Sequence, residues 1–265
     1  MLHSENARSP GLNALDCGSE TDMVKALRDL STAGRKGEEG HVRFHLGIWD
    51  DSHRIAVDAF RHRDGGFTLV AVDSMKKSQM IDQDLEKLSR TNPDLIKGAM
   101  VLPTPNLVHF EGCRIFAIHH LNALHDYQPH IQSLHRELHD KARGRAASRF
   151  SGSNWTHLGE NIHTLNDAKE AFGLLPGKFF KHMQVKKPKT ADKRTSLDQA
   201  EDWNPALRDQ PVNKKGQTLR ARLESQNPQK PLEEFSHAER TLSLDRKRLV
   251  LIDRAIAHYE KLAAK

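Results

Sequence analysis

The chain has 265 residues, 37% of them hydrophobic and 29% charged, enough for one ordinary domain with a true core and polar segments attached. No apolar run reaches the ~18–20 residues of a membrane-spanning helix, and the opening MLHSENARSPGLNALDCGSE lacks the apolar stretch of a Sec signal peptide. Two cysteines, Cys17 and Cys113, argue against a disulfide framework and for a reducing compartment. The net charge of +6 is unevenly placed, because residues 141–220 hold sixteen Lys and Arg against eight Asp and Glu. Such an excess predicts a polyanionic partner: nucleic acid, an anionic membrane surface or a polyphosphate.

In chain order, residues 1–36 are polar and irregular and read as a flexible leader around one short helix near 21–30. Between His41 and Trp49, Val42, Phe44, Leu46 and Ile48 alternate with Arg43, His45 and Gly47, the period of a half-buried strand. Two further apolar runs, 53–60 and 67–72, flank Asp64-Gly65-Gly66, where glycine supplies the positive φ of a hairpin turn. The core therefore opens with a three-stranded meander. Residues 80–91 read as a helix, and 100–102 and 107–110 as short strands. Cys113, Phe116, Ala117, His120 and Leu124 recur at helical spacing, so a helix starts at or just before the cysteine. Another covers about 131–147. From 185 to 234 the chain is rich in Pro, Lys, Gln and Asp, and little of it reads as core. Ser236-His-Ala-Glu239 is a capping-box pattern ahead of a closing amphipathic helix, with Leu249, Ile252, Ile256 and Tyr259 as its expected buried stripe.

Three residues stand out together. His53 opens one strand, Asp73 closes the strand paired with it across the hairpin, and Cys113 starts a buried helix; antiparallel pairing makes the first two neighbours. A carboxylate there orients the imidazole, as in any nucleophile–His–acid triad. The helix N-terminus and an imidazolium both favour the thiolate. The competing reading is plain: seventeen histidines place some ring near some carboxylate by chance, and a lone buried cysteine is commonly core filler. His119, His120, His125, His130, His135 and His139 fall within 21 residues, and His135 and His139 share a helical face that suits zinc. The pattern is not H-E-x-x-H and supplies no third ligand, so these rings are read as solvated or capping and no metal is assigned.

The ordered blocks His-Arg-Ile-Ala-Val-Asp from His53, Val-Asp-Ser at 72–74 and Glu-Gly-Cys-Arg-Ile-Phe-Ala-Ile from Glu111 resemble the catalytic blocks of the YopJ family of type III secreted bacterial effectors. Leu-Pro-Gly-Lys-Phe-Phe-Lys-His-Met-Gln (175–184), Val-Asn-Lys-Lys-Gly-Gln-Thr-Leu (212–219) and Arg-Lys-Arg (246–248) resemble three of its later phrases. Each block is short; their order and spacing carry the resemblance, over about 40–262. It implies an α+β fold: a mixed, mostly antiparallel central sheet packed by helices, with a core like that of ubiquitin-like-protein cysteine proteases. It implies an acetyltransferase that moves acetyl from acetyl-CoA to Ser, Thr or Lys of host signalling proteins such as kinases. Inositol hexakisphosphate would activate it, and the host cytoplasm would be its place of action. Carried over by position, Cys113 is the nucleophile, His53 the base and Asp73 the orienting acid. Lys181, Lys214, Lys215, Arg246, Lys247 and Arg248 are candidates for the inositol-phosphate pocket. The implied division is a 1–36 leader with a possible secretion signal, a 37–180 catalytic core and a 181–265 basic regulatory segment.

Two positions depart from the family pattern. Leu107 stands where a glutamine usually helps bind the oxyanion, and Arg114 replaces the glycine after the cysteine. Loss of one oxyanion donor costs roughly 10²–10³ in rate, which keeps open a weak or silent relative that acts by binding. A protease of ubiquitin-like conjugates is a further alternative. Nucleic-acid binding rests on charge alone, with no zinc finger or aromatic–basic repeat behind it.

Overall fold

The computed structural model describes the chain apart from residues 36, 50, 76–78, 105–111, 146–149, 151–153, 159–160, 184–195, 226–241 and 265, and apart from the side chains of 79, 80, 82, 196, 199 and 242–246. Seven strands form one sheet: β1 (Ala14–Cys17), β2 (Gly40–Ile48), β3 (His53–Arg61), β4 (Phe67–Asp73), β5 (Ile96–Pro103), β6 (Trp155–Leu158) and β7 (Ile162–Leu165). Their order is β1-β2-β3-β4-β5-β7-β6. The expected meander is β2-β3-β4, and its β2–β3 ladder runs antiparallel from Gly40↔Arg61 to Ile48↔His53. Gly65, at φ +87°, turns the chain between β3 and β4. Pairs β1–β2, β4–β5 and β5–β7 are parallel, a feature that local periodicity does not reveal.

β3 and β4 are buried on both faces because helices cover both. On one side Ala56, Val70, Val72, Met100 and Leu102 pack with α4 (Cys113–Asp126) and α5 (Gln128–Ala142). On the other, Val57, Leu69, Ala71 and Val101 meet Met23 and Leu27 of α2 (Glu20–Ala33) and Ile81 and Leu85 of α3 (Gln79–Thr91). α4 is buried nearly all round, so its start cannot shift without disturbing the core.

Three expectations are corrected. Residues 1–36 carry α1 (Leu2–Arg8), β1 and α2, and β1 completes one edge of the sheet. The polar stretch after 185 contributes α7 (Ser196–Trp203) and α8 (Leu219–Glu224), whose Leu197, Ala200, Leu219 and Leu223 join the main core; α6 (Ala171–Leu174) precedes them. In α9 (Leu242–Ala263) the expected stripe points outward: Leu249 is 60% exposed and Ile256 51%, whereas Leu251 is fully buried against Ile115 and Ile118. The cause is charge: Arg254 on the opposite face reaches buried Glu5 at 3.2 Å, and His258 packs edge-on against His3. The capping box at 236–239 and the strand expected at 107–110 lie outside the described residues.

A closed polar network lies between the sheet and α5. Arg43 Nε is 2.7 Å from Asp58 Oδ2, while His41 Nδ1 and His135 Nε2 meet Asp58 Oδ1 at 2.6 and 3.1 Å. Arg43 also donates to the carbonyls of Gly11 and Leu12 and to Gln128, which ties the N-terminal segment to β2 and α5. His41, Asp58 and His135 offer ligand atoms within 4.8 Å of one another, the one such trio among the described residues. Both rings sit at hydrogen-bond length from one oxygen and Arg43 neutralises the other, so the carboxylate's charge is already answered. His139, the other half of the expected ligand pair, turns away to Asp64 at 2.9 Å.

Burial alone would raise the Asp58 carboxyl's pKa, but hydrogen bonds from His135 and His41 and the Arg43 charge hold it well below the usual range. A depressed native pKa contributes stability above the unfolded value of about 3.9, lost as pH falls through the native one. Asp58→Ala should therefore cost about 3–5 kcal/mol by leaving Arg43 buried and unpaired. Asp58→Asn should flatten the loss of melting temperature below about pH 4, checked by calorimetry across pH.

Candidate active site

β3 begins and β4 ends at the same edge of the sheet, and α4 begins beside them. His53 Nε2 lies 2.8 Å from Asp73 Oδ1, with both side chains fully buried. The backbone fixes the acid: Met75 N–H donates to Asp73 Oδ1 at 3.1 Å, and both the N–H and Oγ1–H of Thr104 donate to the Asp73 carbonyl at 2.7 Å. Cys113 is the first residue of α4, after Gly112, and its thiol hydrogen-bonds the His53 side chain. The three residues singled out in the sequence thus meet in space. On the far side of the ring, Trp49 stacks on His53 with centroids 5.4 Å apart and planes 22° from parallel. Sequence reading missed Trp49, although a bulky residue beside the strand end was visible in Ile48-Trp49.

The electrostatics follow from these contacts. Burial would lower the His53 pKa, but hydrogen bonds to Asp73 and Cys113 raise it to about 9. Burial would raise that of Cys113, but the His53 hydrogen bond and the backbone N–H groups of Arg54 and Arg114 bring it down. The helix start adds its partial positive charge. Both shifts favour the thiolate–imidazolium pair, the state in which sulfur is a nucleophile. Cys17 provides the contrast: burial and the carboxylates of Asp22 and Asp16 push it up to about 11.

Arg114 has a definite place. Its guanidinium meets Asp51 Oδ2 at 3.0 Å, and Asp51 also binds Arg54, the residue after His53. Asp51 lies in the β2–β3 turn, where it and Trp49 have φ of +64° and +52°. A tryptophan in that region is strained, so the turn needs contacts to keep the indole on His53, and Asp51 supplies them. Leu107 lies outside the described residues.

The basic candidates divide. Lys181 and Lys247 converge with Lys178, Arg222 and Arg254: burial first and these neighbouring charges second bring Lys181 down to about 7, and burial, Lys247, Arg8 and Lys214 bring Lys178 down to about 8. Lys247 is lowered by burial and by Arg254, against the opposite pull of Glu5. Lys214 reaches this group through its charge from an exposed turn; Lys215 is exposed beside it and Arg248 is half-buried on α9. The Arg246 side chain lies outside the described set. Lys178, Arg222 and Arg254 were missed. Lys178 lies in one short helical turn (Gly177–Phe180), three residues before Lys181, which caps that turn, and Arg254 stands two α-helical turns after Lys247, so spacing could have found both.

Two outcomes are expected from this geometry. At pH 7, iodoacetamide should alkylate Cys113 at least about tenfold faster than the equally buried Cys17, and His53→Ala should remove the difference, read by peptide mass spectrometry. Asp51→Ala should slow Cys113 alkylation several-fold and Asp51→Glu should recover part of it. Arg114→Gly should change little, because its half of the pair is exposed and worth about 0.2–1 kcal/mol.

The chain resembles in fold a structure of AvrA delL154 with IP6 and CoA: 19% identity, 94% of this chain and 82% of the other covered, TM-score 0.69. It likewise resembles HopZ1a in complex with IP6 (16% identity, 98% and 83% covered, TM-score 0.70) and HopZ1a with IP6 and CoA (16%, 97% and 82%, TM-score 0.70). No curated protein matches the chain in sequence. The family profile described as YopJ Serine/Threonine acetyltransferase matches residues 1–254. With that match across nearly its whole length, the chain belongs to the YopJ serine/threonine acetyltransferase family.

Proposed function

We propose that the protein is a type III secreted effector that acetylates Ser, Thr or Lys of host signalling proteins, such as kinases, in the host cytoplasm, using acetyl-CoA and activated by inositol hexakisphosphate. The observation that carries this reading is the His53 ring held between the Asp73 carboxylate and the Cys113 thiol at the start of a buried helix, in a chain of this family. In the first half-reaction the Cys113 thiolate attacks the thioester carbonyl, forming an S–C bond as the bond to the CoA sulfur breaks. His53 gives its proton to the departing thiolate, and the backbone N–H groups at the start of α4 favour the oxyanion. In the second, neutral His53 takes the proton of the acceptor hydroxyl or amine as that atom attacks acetyl-Cys113. The thiolate–imidazolium pair is restored. Asp73 holds the ring and stabilises its cationic form.

The activator's fit rests on charge. Burial first, and the charges of one another and of neighbours such as Arg222 and Arg254 second, lower the pKa values of Lys178, Lys181 and Lys247, a strain that a dense polyanion relieves through charge-assisted hydrogen bonds. Glu5 and Asp126 are carboxylates that meet this group, through Arg254 and Lys178. Residues 181–265 would thereby act as the regulatory part of the 37–180 core, with Lys214, Lys215, Arg246 and Arg248 at its margin.

Incubation with labelled acetyl-CoA and inositol hexakisphosphate should label the protein or a host kinase, with Cys113→Ala and His53→Ala losing at least about 10³-fold. No Cys113-dependent label, or reaction with a ubiquitin-based suicide probe instead, overturns the reading. Binding of the polyanion should draw a proton onto Lys181. Its affinity for the wild type should therefore fall relative to Lys181→Arg by roughly tenfold or more from pH 6.5 to 9, measured by calorimetry.

A further inference from the structure

The β2–β3 turn carries two unfavourable features at one residue. Trp49 has φ +52°, in the left-handed region that bulky side chains avoid. Its indole Nε1 is buried with no hydrogen-bond partner among the described residues, which leaves a donor without water or acceptor. A glycine here would escape both. The turn gains a placement in return: the indole lies over the His53 ring, centroids 5.4 Å apart and planes 22° from parallel. The His53 side chain is fully buried, so no water answers a charge on it. Two kinds of cover act on such a ring in opposite directions. An aliphatic side chain only excludes water and thereby disfavours the imidazolium. An indole face carries negative partial charge and attracts a cation within about 6 Å, more strongly away from water.

We propose that Trp49 is a positioning residue that acts through His53: its indole face stabilises the imidazolium and so lowers the pH at which the Cys113 thiolate–imidazolium pair forms. The titratable groups facing the ring are Asp73 from β4 and Cys113 from α4, both through hydrogen bonds. Arg54, next to His53 on β3, turns its guanidinium to Asp16 and Asp51, and Arg114 of α4 turns to Asp51 as well. Hydrogen bonds to an imidazole run near its plane, so Asp73 and Cys113 leave the faces of the ring to other neighbours, and Trp49 takes one. The left-handed φ and the unpartnered N–H then hold an aromatic face where a cation develops. The inference concerns the His53–Cys113 pair alone and holds whether or not the chain transfers acetyl groups.

The test is the pH dependence of Cys113 alkylation by iodoacetamide in the full chain, read by peptide mass spectrometry as the midpoint of the acid limb. A change of access alone alters the rate and not that midpoint. Trp49→Leu should move it up by about one pH unit, a roughly tenfold change in the equilibrium that forms the pair, and Trp49→Phe should recover part of the shift. A second arm keeps the indole and needs no substitution. Growth on mono-, di- and trifluorotryptophan withdraws charge from the ring face in steps while leaving its shape nearly unchanged. The midpoint should climb with each fluorine, by roughly half a unit in total, with the melting temperature level. The same series in Trp49→Phe, where only Trp155 and Trp203 carry fluorine, should stay flat. A midpoint that ignores fluorination of the natural chain overturns the proposal and leaves Trp49 as a packing residue. A series that climbs equally in Trp49→Phe overturns it too. So does a downward shift in Trp49→Leu, which would make the indole a cover that only excludes water.

Discussion

One imidazole holds the candidate site together. The His53 ring joins the first residue of β3, the last of β4 and the first of α4, three backbone positions scattered over sixty residues of sequence. Each of the three side chains is costly to bury alone: a carboxylate, a thiolate and an imidazolium all lose hydration. Together they compensate one another, and the result is a thiol whose pKa is lowered beside a ring whose pKa is raised. The sheet enforces the meeting, because antiparallel pairing of β3 and β4 and the Thr104 bonds to Asp73 leave little freedom at that edge.

Compensation of charge also separates structure from function elsewhere in the molecule. The Asp58 carboxylate is answered on both oxygens by Arg43, His41 and His135, and the network serves the fold. Around Lys178, Lys181 and Lys247 the balance is reversed, since cations crowd cations. Such a surplus is tolerable only near solvent or in the presence of a polyanion, and it lies beside α9, the element that links the N-terminal helix to α4.

Much of this was legible beforehand where the signal was local. The β2 alternation, the Asp-Gly-Gly turn and the helical recurrence after Cys113 each reflect forces acting within a few residues, and each element appeared where its pattern placed it. Ordered short blocks carried the family because catalysis ties residue types to positions. The N-terminal strand was illegible because Ala14–Cys17 owes its state to the edge of β2, not to its own sequence. The 185–234 stretch looked coreless because its few leucines are diluted by polar neighbours, yet those leucines reach the main core.

The sequence by itself determined the fold class, the meander, the identity of the three reacting side chains and the uneven charge, since these rest on composition, short-range periodicity and residue chemistry. Only the tertiary structure decided which strands pair in parallel, which lysines crowd together and which face of α9 turns inward. That last choice was made by Glu5 and Arg254, partners 249 residues apart. An amphipathic pattern states that one face of a helix will be covered; it does not state by what, and here a buried carboxylate outweighed the apolar stripe.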